Sequence, residues 1–435
     1  MHRIASGRWK LAALAATVTL GVRGVPVHAV GRSGASSHAS DRPEIRELNG
    51  EFQNKPSLVP TRTIPVDDLG FAAPGPLFLG ERNSLVSLDF IGENQLLFTF
   101  RVPALLRRTP GDDSDDEREI RAVVLSLPQG TLAAESHWLV HDRSRYLWVL
   151  HDGHFLLRDE DKLYEGDNTL KLKPLLRFPG PLLSLQMNPA QNFLVTNSRE
   201  PSARPQSQPS LESGDGATIG AAASDLVLRI LERSSEKVLF VARVPSPTQL
   251  PINSQGYLSS VQGSGVDWEV MLNFFTGGQR DLGAVKSNCM PQMNFISERE
   301  FLATACSDSG DNALVAMNTR GEQLWVDLVP DRFVWPNLLM SPDGSKIVRE
   351  TLYVSHSIAP MSPMGDDDIK GQWVQVLDAA SGKVIFETPA TPILDAGGNV
   401  AISPSGRQIA VLSDHAIQIF ELPAAPSVPS TRISH

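Results

Sequence analysis

Two groups of carboxylates are the first residues in this 435-residue sequence that could do chemistry. Asp112, Asp113, Asp115, Asp116, Glu117 and Glu119 crowd one stretch, and Asp366, Asp367 and Asp368 form another. Clustered carboxylate oxygens suit Ca²⁺, a hard ion that takes about six to eight oxygens. The spacing lacks the glycine and terminal glutamate of a helix–loop–helix calcium loop, so a solvated acidic loop is the alternative. The cofactor expectation is therefore none, or Ca²⁺. Arg143, Arg145, Arg332 and Trp335 offer planar cations and an aromatic ring, a set that can hold a ligand or can pack and bond backbone carbonyls. His137, His141, His151 and His154 look like a metal cluster on paper, and Cys289 and Cys306 are the two cysteines. Motifs for a nucleophile elbow, a zinc protease helix, a P-loop and a dinucleotide fold are all missing.

Which of these residues meet depends on the elements that carry them. The phrase MSPDGSKIV (Met340 to Val348) returns as ISPSGRQIAV (Ile402 to Val411). A polar turn followed by a strand of apolar residues recurs seven times, with turns starting at Ile91, His151, Asn188, Asn253, Ser297, Ser341 and Ser403. Proline, Asp or Asn, and glycine supply the dihedrals and local bonds of such turns, and the flanking apolar runs form a hairpin. A third strand, a second turn and a fourth strand follow in most units. Repeats of four short strands, with insertions and almost no helical periodicity, predict a seven-bladed all-β propeller of four-stranded antiparallel blades. The seventh unit stops after AIQIFELP, one strand short, which would leave a bare sheet edge. Arg62 to Leu69 (RTIPVDDL) belongs to no unit and is expected to close the ring as the outermost strand, where Pro65 needs no partner.

The segments QWVQVLDAASGKVIFE and SPSGRQIAVLSD resemble bacterial WD40-like or YVTN-type propellers across about residues 62 to 423. No blade carries a Trp-Asp pair. The resemblance implies a fold and names no activity, since propellers serve as binding scaffolds and also host lactonases, quinoprotein dehydrogenases and glycosidases.

The blade assignment sorts the candidate residues. The long insertions (Val102 to Glu119, Asn197 to Ser224, Tyr353 to Gly371) all join second to third strands, so they decorate one face. Both acidic clusters fall there, flanking Asp414 and His415. His151 and His154 sit on the opposite face from His137 and His141. Arg143, Arg145, Arg332 and Trp335 fall on connections between blades, near the channel mouth. Pairing the hairpin at Ser297 to Glu300 sets residue 291 opposite Cys306, with Cys289 just before it, within the ~5.5 Å Cα separation of a disulfide.

Arg3, Arg8 and Lys10 precede a 12-residue apolar run, Leu11 to Val22, and Val27-His28-Ala29 offers a cleavage site after Ala29. That run is too short to span a bilayer, which takes roughly 20 residues. Residues 1–29 therefore read as a signal peptide, 30–60 and 424–435 as disordered tails, and 61–423 as the propeller. The first 29 residues hold four basic and no acidic residues, so the mature chain keeps 35 Lys+Arg against 49 Asp+Glu, or −14. Such a surface repels nucleic acid and anionic membranes. The expectation is a secreted or periplasmic monomer with no membrane span that binds a protein or envelope ligand through its acidic, loop-rich face. The alternative is a propeller enzyme, lactonase-, quinoprotein- or glycosidase-like, with its site at the channel mouth.

Overall fold

Short runs of β-branched and aromatic residues, broken by turn-forming residues, give this chain strands and almost no helix. The structure is a computed structural model. It describes residues 58–73, 85–102, 118–141, 145–201, 224–306, 312–357, 366–394, 398–413 and 415–423.

The first strand is β1 (Arg62–Pro65). Blade 1 holds β2 (Ser87–Gly92), β3 (Gln95–Arg101), β4 (Arg118–Ser126) and β5 (Thr131–Val140). Blade 2 holds β6 (Leu147–Val149), β7 (His154–Asp159), β8 (Lys162–Asp167) and β9 (Lys173–Arg177). Blade 3 holds β10 (Leu182–Met187), β11 (Phe193–Pro201), β12 (Ser224–Glu232) and β13 (Val238–Val244). Blade 4 has β14 (Gly256–Gln262), β15 (Asp267–Phe274) and β16 (Gln279–Lys286). Blade 5 holds β17 (Gln292–Phe295), β18 (Glu300–Cys306), β19 (Asn312–Asn318) and β20 (Gln323–Val329). Blade 6 holds β21 (Phe333–Met340), β22 (Lys346–Val354), β23 (Ile369–Asp378) and β24 (Val384–Ala390). Blade 7 holds β25 (Val400–Ile402), β26 (Gln408–Ser413) and β27 (Ala416–Glu421), and β1 completes it.

The closure is as the unclaimed segment implies. β1 lies antiparallel on β27, with Ile64 opposite Ile417 and Pro65 opposite Ala416. Thr61 N–H and Val66 N–H extend the seam to the carbonyls of Ile419 (2.7 Å) and His415 (2.9 Å). Pro65 sits on the free outer edge, where its missing N–H costs nothing.

The core is not one mass. Buried side chains sort into seven clusters, one between each pair of neighbouring blades. Ile64, Leu412 and Ile417 of blade 7 meet Phe90, Phe98 and Phe100 of blade 1. Leu97 and Val124 of blade 1 meet Leu147 and Phe155 of blade 2. The same arrangement continues round the ring. The cluster between blades 3 and 4 has just four buried members, Val195, Leu228, Ile230 and Ile252.

Blade 4 departs from the expected four strands. The residues before its first turn should form the inner strand, yet they contribute one bridge, Ile252 to Tyr257. Pro245, Pro247 and Pro251 crowd this segment and have no N–H to give a ladder.

Blade 5 corrects a register. Phe295 pairs with Phe301 and Ile296 N–H bonds the carbonyl of Glu300 (2.8 Å), so the turn is one residue shorter than the sequence suggests. A one-residue slip would turn one strand over. Here Phe295 and Phe301 share a face and meet edge-on, centroids 6.0 Å apart. Cys289 and Cys306 are joined nearby, with Cα atoms 5.6 Å apart, at the loop-bearing end of blade 5.

Two outcomes follow. Ile64→Ala lowers unfolding free energy by about 2–4 kcal/mol, read by urea titration, because Ile64 is buried where blade 7 meets blade 1. Replacing both cysteines by serine costs about 3 kcal/mol, as a bridge over 17 residues of chain should.

Candidate functional site

The seven inner-to-second turns share one face, and they interlock. Ser341 and Ser403, the repeated residues, are both buried. Each hydroxyl accepts a bond from the N–H five residues on, Lys346 (2.9 Å) and Gln408 (3.0 Å). Asn188 does the same in blade 3, its Oδ1 accepting from Phe193 N–H at 2.8 Å. Gly344 and Gly406 complete their turns at φ 71° and 64°, the left-handed region that glycine takes freely.

Side chains then cross from blade to blade. The Glu93 carboxylate of blade 1 accepts from the Ser405 N–H (3.1 Å) and hydroxyl of blade 7. Gln191 of blade 3 accepts from His151 N–H (2.6 Å) and donates to the Val149 carbonyl (3.1 Å) of blade 2. Glu298 of blade 5 accepts from Ser254 N–H (2.6 Å) of blade 4, and reaches past it to Asn188 Nδ2 (3.0 Å) and Ala190 N–H (3.0 Å) of blade 3. The tight-turn face is thus stitched.

The other face carries the longer connections. Asp89 on β2 and Arg145 just before β6 belong to neighbouring inner strands and attract each other. Ser87 donates to Asp89 Oδ2, and Arg145 Nε reaches the Leu147 carbonyl at 3.3 Å. Arg145 lies over the Trp148 ring, 5.5 Å from its centroid. Arg145 is exposed to solvent. Burial holds the Asp89 carboxyl up at about 6, against the Ser87 bond and the Arg145 charge. Burial likewise lowers Arg145 from its usual range. Tyr146 beside it bonds Thr99 (2.5 Å) and the Leu85 carbonyl (3.1 Å), fixing blade 2 to blade 1. An acid and a guanidinium side by side can bind a polar group of either sign.

Of the residues singled out in the sequence, Arg145 is exposed just before β6, over the Trp148 ring. Arg332 is exposed on the connection into β21, and its carbonyl accepts from Val354 N–H (2.9 Å). Arg143 and the Trp335 side chain lie outside the described residues, as do Asp112, Asp113, Asp115, Asp116, the Asp366 side chain and Asp414. Asp366–Asp368 form a single 3-10 turn. Lys370 Nζ bonds the Asp367 carbonyl (2.8 Å), and Asp368 lies 3.7 Å from His356 Nδ1. His415 Nδ1 bonds Asp67 (2.9 Å) across the closure seam. Among the described residues no three His, Cys, Asp or Glu side chains come close enough to share a metal. The four histidines part company, each with its own surroundings: His137 with Glu119 (2.7 Å), His141 with Asp159 (2.9 Å), His154 near Asp152 (3.2 Å). His151 lies beside Asp152 and Arg233, and burial lowers its pKa.

Sequence reading missed Glu350. It sits on β22, 2% exposed. It accepts from Asn337 Nδ2 (3.3 Å) and from Gln372, whose amide also bonds both backbone groups of Leu394 (2.6 and 2.8 Å) and Asn399 (2.8 Å). Burial pushes its carboxyl up to about 7. One residue away, Arg349 crosses to Asp327 of blade 5 (2.6 Å) and is braced by Gln375 (2.7 Å). The available signal was the polar run Arg349-Glu350-Thr351 inside an otherwise apolar strand.

These features define the chain as a seven-bladed β-propeller with one stitched face and one loop-bearing face. No family model matches the sequence, and no curated protein matches it. Among solved structures it is similar to the C-terminal WD40 domain of Sif2, at 12% identity and TM-score 0.40, covering 79% of this chain and 97% of that one. It is similar to the propeller domain of the trilobed protease of Pyrococcus furiosus, at 10% identity and TM-score 0.43, covering 79% and 96%. It is also similar to Pyrococcus horikoshii acylaminoacyl peptidase, at 11% identity and TM-score 0.41, covering 68% of this chain and 50% of that one. The chain thus spans about half the length of that peptidase. Among the described residues no helix is long and apolar enough to cross a membrane.

Glu350 makes stability fall with pH. Its folded pKa lies above the ordinary glutamate value of 4.5, so between pH 4.5 and about 7 the unfolded chain holds fewer protons than the fold. Stability then declines by at most ~1.4 kcal/mol per pH unit from this group. Glu350→Gln flattens that decline in denaturant titrations run from pH 4.5 to 8.

Proposed function

We propose that this protein is an exported, non-catalytic propeller that binds a protein or envelope ligand on its loop-bearing face. The observation carrying the reading is the asymmetry of the two faces. Glu93, Gln191 and Glu298 tie neighbouring turns together on one side. On the other side Arg145 is exposed and Asp89 half-buried beside the long connections. Recognition belongs on loops held by a rigid scaffold. Export is supported by the leader-like first 29 residues and by the Cys289–Cys306 bridge, since disulfides persist in oxidising compartments. The acidic mature chain, at −14, favours a ligand with basic groups.

A second reading, a hydrolase at the channel mouth, is favoured by one observation, the Asp89 carboxyl held at about 6 beside Arg145. Replacing residues 103–117 and 202–223 with short Gly-Ser links tests the first. The shortened protein keeps its melting temperature and loses the crosslinked partner that the intact protein yields in cells. If the intact protein instead turns over a lactone or aryl glycoside, and Asp89→Asn abolishes turnover, the second reading holds.

A further inference from the structure

Blade 4 leaves backbone groups without a ladder. Along β14 alternate residues face opposite sides. Toward β15, the Gln255 carbonyl accepts from Phe275 N–H (2.9 Å). Toward the axis, the Gly256 carbonyl accepts from Asn253 N–H (2.9 Å) and Leu258 N–H reaches the Pro251 carbonyl (2.9 Å). By the same alternation, the N–H and C=O of Ser260 and Gln262 face the axis. Among the described residues nothing bonds these four groups.

The chain's own segment turns away from them. Thr248 N–H donates to Asn197 Oδ1 (3.2 Å), the Thr248 carbonyl accepts from Asn197 Nδ2 (3.0 Å), and Leu250 N–H donates to Gln186 Oε1 (3.0 Å). All three tie it to blade 3. The gap is therefore blind at the stitched face, where Ile252 bridges Tyr257, and open at the loop-bearing face. At the open end Val261 is 52% exposed, Val266 43% and Met290 64%. Glu269, the cross-strand partner of Val261, is exposed and has no cationic partner among the described residues.

We propose that this gap binds an extended polypeptide segment bearing a basic residue, which completes blade 4 as its fourth strand. The unmet donors and acceptors call for a backbone, because a strand offers both at the same spacing. The exposed Val261 takes an apolar side chain, and Glu269 takes the cation. The segment runs antiparallel to β14, as inner strands do in the other blades. The proposal deepens the binding reading given above and rests on it, by naming the chemistry of the partner.

The test uses the whole protein and amide hydrogen exchange resolved by residue. The probe is the blocked peptide Lys-Asn-Val-Ala-Ile, in which a lysine precedes the blade 7 sequence Asn399 to Ile402. In the free protein the Ser260 and Gln262 amides exchange about tenfold or more faster than those of Ser259 and Val261, which bond β15. Millimolar peptide slows them about tenfold. Ser260→Pro removes a donor that the fold does not use, keeps the melting temperature and abolishes the effect. Glu269→Gln, or glutamate in place of the peptide's lysine, weakens binding several-fold, and these carry the test should the proline variant unfold. Protection already present in the free protein overturns the proposal: if independent of concentration, the chain fills its own gap, and if it rises with concentration, a second copy does. No slowing by peptide also overturns it. Either failure leaves the loop-shortening result standing, so the two readings fail separately.

Discussion

Ring closure is the constraint on which the other features depend. An unpaired β27 would expose its backbone and uncover the core between blades 7 and 1. The four residues of β1 supply both the missing ladder and the buried Ile64. Gly130 shows how tightly the seam is shut: a Cβ there would lie 2.8 Å from an Ile64 side-chain carbon. The closing strand thus touches blade 1 as well as blade 7. Once the ring is fixed, each inter-blade cluster is compressed between two neighbours, and the turns can interlock on one face.

Local chemistry was legible in the sequence, and contacts between blades were not. The turns at Ser341 and Ser403 could be read because hydroxyl, glycine and bond all lie within six residues. The closing strand could be read because the seventh unit was visibly short. The blade 5 register was misjudged by one residue because Glu298 is held by Asn188, Ala190 and Ser254, residues of two other blades. The prolines at 245, 247 and 251 were visible before the structure, yet the repeat pattern suggested an inner strand there. Proline chemistry prevailed over periodicity. Arg145 lies over the ring of Trp148, three residues on, a pairing that the reading of the sequence did not make.

Buried polar groups divide the ring into different kinds of joint. Between blades 7 and 1 the contact is apolar and aromatic: Phe71 meets Phe98 and Phe100 edge-on at 5.3 and 5.4 Å, and those two tilt together at 5.0 Å. Between blades 5 and 6, Arg349 and Asp327 add a buried ion pair, whose partners must stay together because either charge alone would be costly. Between blades 6 and 7 the Gln372 amide satisfies three groups at once. Between blades 3 and 4 the apolar contact is thin, and Glu298 compensates by fastening blade 3 directly to blade 5. The thinnest apolar contact is therefore pinned at the turn face.

The seam also sets an order of events during synthesis. Thr61 leaves the ribosome 358 residues ahead of Ile419, the residue it must grip. Among the described strands β1 is made first, yet its one partner is β27, the last made. Such distant pairing is slow to form. A nascent chain of this kind therefore has a long interval in which its own leading strand, or that of a neighbour, is available to be captured by the wrong edge.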